Sequence, residues 1–146
     1  MNDSMARTPW HVWVVGVIAL LFNGIGVFDY VMAMTQGEAY MAKSGMTPEQ
    51  IAFYLQMPGW MVFVWTVGVW GALIGSILIL LRRKPATPVF AVSLVAFVVY
   101  LLYIYLLTDG GRIMGSQMAI ASAVIFMLLL LFTLYAWRMG RRGVLR

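Results

Sequence analysis

Four runs of apolar residues, 10–34, 59–81, 88–107 and 113–137, dominate the chain, and its charged residues fall almost entirely between them or at their ends. A helix rises about 1.5 Å per residue and needs about 20 residues to cross a hydrocarbon layer of about 30 Å, so each run matches or nearly matches one membrane pass. The pattern predicts a single all-α membrane domain, residues 1–146, with four transmembrane helices in an up-down bundle, because short connections force consecutive helices to run antiparallel. The one sizeable segment outside the runs is 35–58.

Local signals place the helix ends. Thr8-Pro9, Thr47-Pro48 and Thr87-Pro88 each set a hydroxyl where it can accept an orphan N–H, followed by a residue with no N–H to lose. Gln50 stands three residues after Thr47, a capping-box spacing, and predicts a short helix over 48–56 whose Ile51, Tyr54 and Leu55 share one side, as suits the headgroup zone. Residues 38–43 have room for one helical turn closed by Gly45. The segment 35–58 therefore reads as an outside cap of two short pieces. Asp109-Gly110-Gly111-Arg112 reads as a turn whose glycines tolerate positive φ. Trp10, Trp13 and Trp137 mark one membrane boundary, and Tyr30, Trp60 and Tyr105 the other.

Composition sharpens this picture. Apolar side chains make up 63% of 146 residues, against roughly half in soluble domains. A net charge of +5 would point to nucleic acid in a soluble protein, but here the basic residues sit at helix ends, so no nucleic-acid partner is expected. Arg7 precedes the first run, Arg82, Arg83 and Lys84 follow the second, and Arg138, Arg141, Arg142 and Arg146 follow the fourth, whereas Lys43 and Arg112 stand alone in the other loops. The positive-inside bias therefore places both termini in the cytoplasm. The first run is far longer than the roughly 7–15 residues of a signal-peptide core and reads as a retained span. Cysteine is absent, which excludes disulfides, thiolate ligands and cysteine nucleophiles.

Small residues predict the packing faces, since close backbone approach drives helix association in lipid. They are Gly16, Ala19, Asn23 and Gly26 in the first helix, Gly68, Gly71, Ala72 and Gly75 in the second, and Gly115, Ala119 and Ser122 in the fourth. The third helix has no glycine and many bulky residues, which predicts a peripheral position. Asn23 lies about 20 Å along the helix from Trp10, near mid-membrane, and must hydrogen-bond inside, either to another helix or to a solute. Asp29 is a carboxylate within a span and marks a functional-site hypothesis. With Gln117 and Arg112 at similar depth it would form either a structural clasp or, together with Asn23, a hydrated solute pocket. Met32 and Met34, among many methionines toward the cap side, offer soft ligands for Cu(I), against the plainer use of methionine as gap-filler. His11 is the only histidine; a lone interfacial imidazole cannot supply a bis-histidine haem site, and no cofactor is expected. No nucleophile and base combine in a plausible set and no phosphate loop is present, so the chain is not expected to be an enzyme.

The run Thr8-Pro9-Trp10-His11-Val12-Trp13-Val14-Val15-Gly16, then Phe22-Asn23, Phe28-Asp29-Tyr30, Thr47-Pro48-Glu49-Gln50, Gly68-Val69-Trp70-Gly71 and the closing Arg141-Arg142-Gly143-Val144-Leu145-Arg146, resembles a group of small four-span inner-membrane proteins of Gram-negative bacteria, some of which are labelled sugar transporters. The resemblance implies a location in the bacterial inner membrane. It does not extend to small multidrug transporters, whose first span carries a central glutamate; here 15–23 holds no acid. Three functions follow as expectations: an accessory or packing subunit that binds another membrane protein or a second copy of itself within the lipid bilayer, an oligomeric small-solute transporter, and a Cu(I) handler.

Overall fold

A computed structural model describes residues 8–146, and Arg7, counted above among the flanking charges, lies outside them. The described residues form α1 (Trp10–Gln36), α2 (Glu38–Lys43), α3 (Pro48–Leu55), α4 (Gly59–Leu80), α5 (Ala86–Leu102), which continues as a π-helical turn over Tyr103–Leu107, and α6 (Gly110–Arg141). Four of these, α1, α4, α5 with its π-turn, and α6, are long and apolar enough to cross a membrane. This is an all-α, multi-pass membrane protein. At most 28% of the most apolar window of any span is buried within the protein, so lipid or another membrane helix must cover the exposed rows of Ile18, Leu21, Ile25, Phe28, Phe63, Val92, Val95, Leu131 and Leu134.

The spans pack in chain order, α1 on α4, α4 on α5 and α5 on α6. The apolar core at the end holding both tails joins Val12, Ile79, Phe90, Phe132 and Met139 from all four. A second cluster under the cap joins Met57, Met61, Tyr103 and Ile104. The third span, expected at the periphery, instead lies between α4 and α6. Its bulk is distributed around the helix, whereas packing depends on one face, and that face carries Ala86, Phe90, Ser93 and Ala96, all buried.

The small-residue faces explain the close approach. On α1 the buried residues Val12, Gly16, Ala19 and Asn23 recur at helical spacing, and a methyl group on Gly16 would lie 2.5 Å from a Leu80 methyl. On α4, Ala72 and Ser76 turn toward α1, while Gly68, Gly71 and Gly75 turn toward Ala96, Ser93 and Phe90 of α5. A Cβ on Gly75 would stand 2.9 Å from the Phe90 ring. Other predicted packing residues do not serve within the chain. Gly26 has no atom within 4 Å of where a Cβ would be, and Gly115 and Ala119 are exposed, so that of the three predicted packing residues of α6 only Ser122 is buried.

Of the three Thr-Pro starts, only the middle one caps a helix. The Thr47 hydroxyl accepts from the Gln50 N–H, and the Gln50 side chain accepts from the Thr47 N–H, closing the box that opens α3. Thr8 instead accepts a hydrogen bond from the Arg82 guanidinium. Thr87 and Pro88 fall inside the first turn of α5, which begins at Ala86; the missing proline N–H is harmless there because it would be an orphan anyway. Gly45 closes α2 with φ 87 and a bond from the Met46 N–H back to the Met41 carbonyl. Positive φ in α6 occurs at Gly115 (φ 80), which kinks the helix, and not at Gly110 or Gly111. Those two leave room for the Phe53, Ile104 and Tyr105 side chains.

At the far end the tail turns back at Gly143 (φ 78) and buries Val144 and Leu145. The Arg146 N–H donates to the Arg82 carbonyl at 2.8 Å, and the Lys84 N–H donates to the Arg146 carbonyl at 2.9 Å. These paired bonds tie the tail to the α4–α5 connection. The α4–α5 contact yields a direct test: Gly75→Leu forces a side chain into Phe90 and should cost about 1–3 kcal/mol, lowering the unfolding midpoint in detergent, with part of the loss recovered when Phe90→Ala is added. An unchanged midpoint for Gly75→Leu would contradict this packing.

Candidate functional site

The polar residues singled out from the sequence do not meet in one place. Asn23 is buried, and its amide donates to the Ser76 hydroxyl at 2.8 Å and to the Ala72 carbonyl at 3.3 Å. Ser76 passes its own proton to the Ala72 carbonyl at 2.8 Å, so it is free to accept. Both protons of the Asn23 amide group thus point into α4. An interhelical amide bond accounts for the residue.

Asp29 is exposed and accepts a hydrogen bond from the Tyr40 hydroxyl at 2.6 Å. Arg112 lies 3.9 Å from Asp109, with both side chains largely in solvent. Gln117 is exposed on α6. The expected Asp29–Arg112 clasp and the pocket of Asn23, Asp29 and Gln117 are therefore not assembled. The reason is the packing order: α1 and α6 lie at opposite ends of the row at this depth, so similar depth does not bring their side chains together.

Met32 and Met34 likewise do not converge. In a helix, residues two apart point about 200° apart, and Met32 is half-buried while Met34 is 52% exposed. Alternating spacing aligns side chains in a strand, but α1 is helical through Gln36. Met57 and Met61 fill the apolar cluster beneath the cap, as gap-filling thioethers do.

What the cap side contains instead is a connected aromatic network. Tyr30 of α1 stacks edge-on against Trp65 at 4.8 Å between centroids, Trp65 meets Tyr54 of α3 at 6.2 Å, Tyr54 meets Phe53, and Phe53 and Trp60 both meet Tyr103. Each such pair contributes about 0.5–1.5 kcal/mol beyond its area. Polar tips are satisfied within it. Thr66 donates to the Val62 carbonyl, which leaves the Tyr30 hydroxyl to donate to Thr66 at 2.6 Å. Tyr54 and Tyr100 share a hydrogen bond of 2.7 Å, and burial raises the Tyr54 pKa. Gln50 adds a bond from its amide to the Ile113 carbonyl at 3.2 Å, fastening α3 to α6. Sequence reasoning places Tyr54 on the apolar side of α3 and misses its partner; the tyrosines at 100, 103 and 105 were the available signal.

His11, at the opposite end, is not isolated. Its Nδ1 lies 2.5 Å from the Tyr135 hydroxyl, joining the start of α1 to the last turns of α6. Among the described residues, no group of three or more His, Cys, Asp or Glu side chains is close enough to hold a metal ion. Comparison with protein-family models, with curated proteins and with solved structures finds no match in any of the three.

The Asp29–Tyr40 bond makes a pH prediction. Because the carboxylate holds the phenolic proton, the Tyr40 pKa is raised above its ordinary value of 10.0, chiefly by that hydrogen bond. The bond contributes below the ordinary tyrosine value and is lost as pH climbs through the higher folded value. Subtracting the tyrosinate absorbance titration of Tyr40→Phe from that of the wild type, and repeating the pair on an Asp29→Ala background, should show Tyr40 titrating at lower pH when Asp29 is absent. Identical titrations would show that the contact does not form.

Proposed function

We propose that this protein is a non-enzymatic, accessory or packing subunit of the bacterial inner membrane, with both termini cytoplasmic, that binds another membrane protein. The observation that carries the reading is the unpartnered flank of α1. This helix packs on α4 but not along α5 or α6, and Gly24, on the same side of the helix as Leu21, Ile25 and Phe28, has open space where a side chain would be. In lipid, helices associate by close packing of small residues rather than by water exclusion. A flank on which Gly24 leaves a notch among Leu21, Ile25 and Phe28, all exposed, has the shape to seat a further helix. The cap, held by the aromatic network, adds a fixed surface beside it.

Transport is the weaker reading. Asn23 spends its amide on α4, and the other candidate ligands are dispersed, so a solute path would have to be completed by other subunits. Copper handling finds no support in the divergent Met32 and Met34.

Purification from native membranes in mild detergent tests the proposal. The protein should co-purify with another membrane protein in fixed stoichiometry, and Gly24→Leu should lower recovery of that partner while leaving the unfolding midpoint of the isolated protein unchanged. Recovery of a lone monomer from native membranes would refute it.

A further inference from the structure

At the end where α1 starts and α6 finishes, these two helices bound a cleft of about 680 Å³ lined by His11, Tyr135, Trp137, Arg138, Met139, Arg141 and Arg142. The three arginines recur at i, i+3 and i+4 and so gather on one side of the last turns of α6. Arg141 lies over the Trp137 ring at 5.2 Å, which fixes its guanidinium at the cleft wall. The described acids, Asp29, Glu38, Glu49 and Asp109, all belong to the cap half of the chain, so among the described residues none neutralises this group. The hydrogen-bonded His11–Tyr135 pair forms part of the lining.

We propose that this cleft binds a phosphate group, and that its guanidiniums form charge-assisted hydrogen bonds to the phosphate oxygens. The negative end of the α6 dipole opposes an anion there, but it amounts to about half a charge against three guanidiniums. The first turn of α1 offers the opposite, favourable pole. Arginine forks match phosphate oxygens in pairs, which an ammonium does not. Trp10 and Trp137, 74% and 47% exposed, set the cleft at the level of the membrane interface, where phospholipid phosphates lie. The same chemistry would accept a soluble phosphate ester, and the test separates the two sources.

Native mass spectrometry of the full chain, titrated with phosphatidylglycerol, phosphatidylcholine or inorganic phosphate, reads the binding. Phosphatidylglycerol should bind at one site in preference to phosphatidylcholine, and the combined change Arg138→Gln, Arg141→Gln and Arg142→Gln should weaken it about tenfold or more. The pair Arg83→Gln and Lys84→Gln, exposed cations at the same end but outside the cleft, should leave affinity within about twofold. If the triple variant does not fold, Arg138→Gln and Arg142→Gln taken singly should each weaken binding by a smaller factor. Binding of inorganic phosphate with the same arginine dependence would support the site and identify a soluble source. No preference between the two lipids together with no phosphate binding, or equal loss in the Arg83 and Lys84 control, would overturn it.

Discussion

Within the hydrocarbon no water is available to a polar side chain, and each one that is buried must be answered by another group of the protein. Asn23 and Ser93 meet this demand at two successive interfaces. Asn23 reaches from α1 to Ser76 and the Ala72 carbonyl, and Ser93 reaches from α5 to the Gly68 carbonyl at 2.6 Å. Each bond is modest, about 0.6 kcal/mol on average for such contacts in membranes. Their larger effect is on register. Sliding either neighbour along α4 by a few residues would strand an amide or a hydroxyl in lipid, so these bonds, together with the glycine contacts beside them, align three of the four spans.

The two ends of the bundle differ in how they are closed. Beneath the cap, closure is aromatic: rings from α1, α3, α4 and α5 interlock, and their hydroxyls pair with one another or with Thr66. At the end holding both tails, closure is by backbone and charge. The tail bonds to the α4–α5 connection, Val144 and Leu145 seal the core, and arginines project around the rim. Between these ends α1 touches one neighbour along most of its length, which is why the proposed partner surface lies there.

Much of the fold was legible in the sequence. Run length and short loops identify four spans, and the spacing of Thr47 and Gln50 identifies the capping box and the cap helix it opens. Periodicity also finds the faces of α1 and α4, because small residues at helical spacing have little reason to recur except in packing. The errors share a cause: they concern which helices are neighbours. Depth along a helix placed Asp29 near Arg112 and Gln117, but depth carries no information about lateral order, and the row α1–α4–α5–α6 separates them. The peripheral position expected for the third span failed similarly, since overall bulk hides the one face that holds Ser93 and Ala96. Thr8 and Thr87 show that a capping pattern competes with other partners, here Arg82 for one and an earlier helix start for the other.

The chain has four spans able to cross lipid, and we propose that its arginine-rich end faces the cytoplasm. The natural absence of cysteine makes this directly measurable. In sealed, right-side-out spheroplasts, an impermeant maleimide should label Ser44→Cys in the cap and should label a cysteine appended after Arg146 only once the membrane is permeabilised. Labelling of the appended cysteine in intact spheroplasts would contradict the sidedness, and labelling of both positions from the same side would contradict the four passes themselves.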